Sequence, residues 1–105
     1  MRILIKLMFV CHGNICRSTM AEFVMKDLVR KAGLADKFII NSSATSREEI
    51  GCDTHYGTKA KLREMNIPFS KRKAVQITKQ DYDMYDYIIV MDHNNLCNIS
   101  SLLRN

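Results

Sequence analysis

Cys11 and Arg17 bracket the octet Cys11-His12-Gly13-Asn14-Ile15-Cys16-Arg17-Ser18. A bare Cys-x5-Arg spacing is a weak signal, and its setting is what gives it weight. An apolar run feeds the octet and a helical pattern leaves it. Gly13 and Asn14 are residue types that take the positive backbone angles of a tight turn. Such a loop turns successive amides inward, and the helix after it adds positive potential at its N-terminus, so the loop suits an oxyanion. A thiol in that field, beside an arginine, ionises at pH ~3.5–7.5 rather than near 8.5, which makes Cys11 a candidate thiolate nucleophile. The planar fork of Arg17 fits two oxygens of a phosphoryl group in the ground state and in the transition state. Ser18 is placed to hydrogen-bond the Cys11 sulfur and help it leave. The competing structural reading is a buried cysteine beside a surface arginine.

These residues need a scaffold, and the flanking pattern predicts one. Ile3 to Val10 reads as a strand buried on both faces, as in a parallel sheet. Thr19 and Glu22 form a capping-box pattern, with Met20, Phe23, Val24 and Leu28 facing the core and Gly33 ending the helix. Phe38, Ile39 and Ile40 form a short second strand, and Asn41 to Ser46 a polar turn. A second helix starts at Asp53 or Thr54 and runs to about Met65, before a break at Asn66-Ile67-Pro68. Thr78 and Asp81 cap a short third helix, Tyr87 to Met91 form a third strand, and Asp92 caps a final helix with Leu96, Ile99 and Leu103 on one face. The order β-α-β-α-α-β-α predicts a doubly wound, flavodoxin-like α/β fold with a parallel sheet and helices on both faces, in a single domain over 1–105. Residues 11–18, 41–48 and 92–95 all follow strand ends and should meet at one site.

Composition narrows the alternatives. The chain has 105 residues, 47% hydrophobic, with a formal charge of +5. The one tight basic cluster, Lys71-Arg72-Lys73, reads as a solvated loop, so no nucleic-acid partner is expected. No apolar stretch is long enough to span a bilayer, and no signal-peptide chemistry follows residues 1–10. The four cysteines, at 11, 16, 52 and 97, show neither a CxxC pair nor zinc-ligand spacing. A cytoplasmic protein with reduced thiols, and with no metal or other cofactor, is expected. Cys52 and Cys97 read as semi-buried.

The run Val10 to Ser18, followed by Met20-Ala21-Glu22, resembles the signature of the low-molecular-weight protein tyrosine phosphatases. The likeness continues through Asn41-Ser42-Ser43-Ala44-Thr45-Ser46, Glu49-Ile50-Gly51, Ile67-Pro68, Gln76-Ile77-Thr78-Lys79, Asp86-Tyr87, Met91-Asp92 and Asn95-Leu96, essentially the whole chain. The resemblance implies that Cys11 is the nucleophile and Arg17 the phosphate clamp. It implies that Asn14 holds a strained loop, supported by Ser18 and Ser42, and that the loop takes a phosphate or sulfate ion. The implied substrate is a phosphotyrosine protein or small aryl phosphate, hydrolysed through a cysteinyl-phosphate. Cys16 is implied as a redox partner of Cys11, against the plainer reading of a small buried side chain.

The sequence also departs from that pattern. The family's general acid is an aspartate in an Asp-Pro motif, whereas the single proline here, Pro68, follows Ile67. No general acid is therefore expected in this chain, and the last strand and last helix of the family fold are expected to be missing. That would leave an open sheet edge and invite self-association. Asp92 is a conceivable substitute acid, but a helix cap or loop support suits it better. Glu48 stands where relatives place an aromatic wall residue, and a carboxylate there would repel acidic substrates. His12 reads as a wall of the entrance, His55 and His93 as surface or cap residues, and Tyr82, Tyr85 and Tyr87 as packing residues.

Three alternatives stay open. An arsenate reductase of the same fold requires further relay cysteines, and none lies between residues 70 and 96. A phosphoarginine phosphatase resembles this loop but carries threonine where Ile15 stands. A non-catalytic phosphate-binding module would need only the loop.

Overall fold

The structure, a computed structural model, describes residues 4–103. Ile3 and the side chain of Leu103, expected in the first strand and on the last helix, lie outside the described residues. Three strands, β1 (Ile5–Cys11), β2 (Phe38–Ala44) and β3 (Tyr87–Val90), form one parallel sheet in the order β2-β1-β3. Among the described residues four α-helices accompany them: α1 (Arg17–Lys31), α2 (Tyr56–Glu64), α3 (Lys79–Met84) and α4 (His93–Leu103).

The central strand explains why its sequence is apolar throughout. Leu7 and Phe9 point to one side, where they pack with Ile40 and Val29 of α1. Met8 and Val10 point to the other, where they pack with Ile77 and Ile99 of α4. Each face of β1 thus has its own core, as a doubly wound sheet requires.

The helix ends follow from local chemistry. α1 closes with Gly33 at φ +75° and with Leu34 N–H donating to the Val29 carbonyl at 2.8 Å, a Schellman ending. α2 ends the same way on Asn66 at φ +58°, with Ile67 N–H on the Leu62 carbonyl at 2.9 Å. The box expected at Thr78 and Asp81 is formed at the start of α3.

Several expectations are corrected. α1 starts at Arg17, so Thr19 and Glu22 lie buried inside it and form no capping box; its N-cap residue, Cys16, makes no side-chain cap bond. The core-facing stripe is displaced accordingly: Val29 is buried, while Leu28 is 56% exposed and Met20 and Val24 are half-buried. Residues 41–44 are not a turn, because β2 continues beside β1 as far as the pair Cys11–Ala44. α2 starts at Tyr56, with the His55 side chain accepting from Gly57 N–H as its cap. Leu96, Cys52 and Cys97 are exposed. Of the three tyrosines, Tyr85 packs beside the core while Tyr82 and Tyr87 stand in solvent.

Candidate active site

The octet leaves the C-terminal end of β1 and enters α1 at Arg17. Its backbone is tied from outside by four neighbours. Thr45 N–H donates to the Cys11 carbonyl at 2.9 Å, Ser46 N–H to His12 at 3.0 Å, His55 N–H to Ile15 at 2.7 Å, and the Thr19 hydroxyl to Cys16 at 2.9 Å. With these carbonyls held outward, amides are free to turn inward. The Asn14 amide lies 3.3 Å from the Cys11 sulfur, and the Ser18 hydroxyl lies 3.0 Å from it. Burial pushes the Cys11 thiol up, but the Ser18 hydroxyl and the amides of Ser18, Asn14 and Gly13 outweigh it and leave the thiol below its ordinary value. The loop's own donors, rather than the Arg17 guanidinium, dominate that stabilisation.

Asn14 is the centre of the support. It sits at φ +59°, a left-handed conformation that asparagine tolerates better than most residues, and it is fully buried. Gly13 does not share that conformation; its lack of a side chain serves a close approach, since a Cβ there would lie 3.3 Å from Glu49 Cγ. The Asn14 Oδ1 accepts from Arg72 Nη2 at 2.8 Å and from Val75 N–H at 3.2 Å. Arginine can only donate, so the amide orientation is fixed. Asn14 Nδ2 then donates to Ser18 Oγ at 2.8 Å and to Ser42 Oγ at 2.9 Å. Each hydroxyl therefore keeps its own hydrogen for another acceptor. Ser18 directs it to the Cys11 sulfur, and Ser42 to Glu22 Oε1 at 2.5 Å.

Arg72 corrects the reading of the basic cluster. Lys71 and Lys73 are solvated, but the Arg72 side chain is only 15% exposed. Besides Asn14 it donates to the Ser42 carbonyl at 3.3 Å, and its Nη1 lies 3.8 Å from buried Glu22. Its segment is drawn in by β-type bonds, with Ala44 N–H on the Val75 carbonyl and Ile77 N–H on the Ala44 carbonyl. Glu22 and Arg72 are the two site residues that sequence reasoning missed. The available signal for Glu22 was its place on the octet's own helix, four residues after Ser18. Arg72 offered none, because its contact is made with a residue 58 positions away.

The other strand ends meet the loop as expected. Arg17 Nη1 donates to Asp92 Oδ2 at 2.9 Å. Asp92 and Asn95 cap α4 reciprocally: Asp92 Oδ1 accepts from Asn95 N–H at 2.9 Å, and Asn95 Oδ1 accepts from Asp92 N–H at 3.2 Å. The Asn95 amide, and then Arg17, hold the Asp92 carboxyl below the usual carboxylate range. Its bonds make it a support for the Arg17 guanidinium and for the start of α4. At the entrance His12 Nε2 and Glu48 Oε2 are 3.1 Å apart, both more than half exposed. Cys16 is exposed, which excludes the reading of a small buried side chain, and its sulfur accepts from the Thr58 hydroxyl at 3.2 Å. Among the described residues, no three His, Cys, Asp or Glu side chains gather in a way that could hold a metal ion.

Comparison with known proteins agrees with this geometry. The family described as low molecular weight phosphotyrosine protein phosphatase matches residues 6–105. The chain is 42% identical over 99 residues to the low molecular weight protein-tyrosine-phosphatase YfkJ of Bacillus subtilis, covering 94% of this chain and 64% of that protein. It is 43% identical over 89 residues to the human low molecular weight phosphotyrosine protein phosphatase, covering 85% of this chain and 56% of the relative. The crystal structure of YfkJ superposes with a TM-score of 0.91 over 94% of this chain and 62% of that one. The low molecular weight protein tyrosine phosphatase of Streptococcus pyogenes superposes with a TM-score of 0.87 at 43% identity, over 93% of this chain and 63% of that one. The chain thus spans less than two thirds of the length of these relatives. With its octet, its parallel sheet and these likenesses taken together, the chain belongs to the low molecular weight phosphotyrosine protein phosphatase family.

Proposed function

We propose that the chain carries the nucleophilic half of a phosphotyrosine-type monoester hydrolase. The Cys11 thiolate attacks phosphorus. An S–P bond forms as the bond to the aryl oxygen breaks, and the aryl oxide leaves with the electron pair. Water then attacks the cysteinyl-phosphate, the S–P bond breaks, and phosphate and thiolate are regenerated. Arg17 holds the equatorial oxygens, Ser18 stabilises the sulfur as it leaves, and Asn14 with Ser42 keeps the cradle in shape.

The observation that carries this reading is the Cys11 sulfur, held by the Asn14 amide and the Ser18 hydroxyl and ionising below its ordinary value. In this reading Asp92 serves Arg17 and the start of α4 rather than the aryl oxygen. Aryl phosphates with acidic leaving groups should therefore be the best substrates, and poor leaving groups should lose about 10²–10⁴-fold. The test is hydrolysis of a nitrophenyl phosphate by the wild-type chain and by Cys11→Ser. Turnover that Cys11→Ser abolishes supports the enzyme reading. Phosphate binding without turnover in the wild type would make the chain a binding module.

Three finer readings go with it. Cys16, exposed on the same loop, would trap an oxidised Cys11 as a disulfide, which peroxide treatment followed by thiol counting would detect. Among the described residues β3 pairs on one side only, and a groove of about 750 Å³ lined by Tyr82, Ile88, Val90, Leu96 and Ile99 lies on its Ile88 and Val90 face. A second copy would extend the sheet there through the same four-residue edge, and a monomer by sedimentation at all concentrations would refute this. A cytoplasmic location suits the free cysteines; among the described residues, no helix is long and apolar enough to cross a membrane.

A further inference from the structure

His93 and Cys97 lie one turn apart on α4, both exposed, with His93 Nε2 and Cys97 Sγ 3.4 Å apart. Neither takes part in the chemistry proposed for Cys11. Residues four apart on a helix share a face, so the spacing is set by the backbone. A tetrahedral zinc-type ion binds thiolate at about 2.3 Å and imidazole at about 2.0–2.1 Å, which puts the two donor atoms about 3.5 Å apart. The observed separation already matches that chord.

We propose that His93 and Cys97 form a two-residue surface site for a borderline-soft divalent ion of the zinc or cobalt type. The ion displaces the thiol proton to solvent and forms one bond to sulfur and one to Nε2, with water in the remaining positions. Among the described residues no third His, Cys, Asp or Glu joins the pair, so affinity rests on these two ligands. The nearest acidic side chain in sequence, Asp92, is committed to Arg17 and to the start of α4.

Cobalt(II) titration of the whole chain under reducing conditions tests this. The expected result is a thiolate-to-cobalt charge-transfer band that saturates near one equivalent and is displaced by zinc. Cys97→Ser should abolish the band, and His93→Ala should weaken binding at least about tenfold. Cys11→Ser should leave the band in place, and inorganic phosphate should not displace it. Both substituted side chains are on the surface, so neither change opens the core. Absence of the band in the wild type, its survival in Cys97→Ser, its loss in Cys11→Ser, or unchanged affinity in His93→Ala would overturn the proposal. None of these outcomes bears on the role of Cys11 in hydrolysis.

Discussion

Arg17 Nη1 donates to Asp92 Oδ2 at 2.9 Å, so the end of β3 holds the guanidinium that leaves the β1 loop. The two strands lie side by side in the sheet, and the pair spans the point where the chain's winding changes direction. Asp92→Asn keeps an oxygen to cap α4 but removes the charge. It should lower kcat/KM for an aryl phosphate by about tenfold, because Arg17 loses its fixed position. The melting temperature should hardly move, since exposed ion pairs contribute little to stability. A rise in kcat/KM would show instead that Asp92 competes with phosphate for Arg17.

Arg72 joins Asn14, the Ser42 carbonyl and buried Glu22 in one network. Arg72→Gln leaves Glu22 short of a cation and Asn14 Oδ1 short of a donor. Urea unfolding should report a loss of about 1–3 kcal/mol, with a parallel fall in activity. Arg72→Lys should not restore either, because one ammonium cannot serve divergent acceptors as a planar fork does.

The thiol of Cys11 is lowered chiefly by the Ser18 hydroxyl among the groups that oppose burial. In Ser18→Ala, the pH midpoint for alkylation of Cys11 by iodoacetamide should move upward. Phosphoenzyme breakdown should slow by about 10-fold or more, as the leaving sulfur loses a donor. An unmoved midpoint would assign the stabilisation to the loop amides alone.

Asp53 has its carboxyl lowered to about 2 by Lys59 first, and then by the amides of Arg72 and Thr54. In the unfolded chain it would titrate near about 3.9. Its folded value is the lower one, so its stabilising contribution is complete above the unfolded value and is lost as the pH falls from about 4 toward 2. The difference in melting temperature between the wild type and Asp53→Asn should be constant above about pH 5 and close as the pH approaches 2.

Much of this arrangement was legible in the sequence because it is local. The octet, the order of elements and the Thr78–Asp81 box depend on residues within a few positions of one another. The errors arose where a distant partner decides the outcome. Thr19 and Glu22 have capping-box spacing, but α1 starts three residues earlier because the preceding loop is shaped by bonds from residues 45, 46 and 55. Asn41 to Ala44 reads as a turn by composition, yet it is strand because β1 offers it a ladder and because Asn14 and Glu22 take up the Ser42 hydroxyl. Arg72 looked like a solvated charge because nothing in its own segment announces the buried acceptors it reaches.

The most direct measurement is rapid mixing of the chain with a nitrophenyl phosphate, acid quenching and mass spectrometry of the peptide that contains residues 11–17. A phosphoryl group on Cys11, formed as nitrophenol is released and absent from Cys11→Ser, is the expected result. Nitrophenol release with no adduct at Cys11, or with the adduct on another side chain, would contradict a sulfur nucleophile held by the loop amides and Ser18.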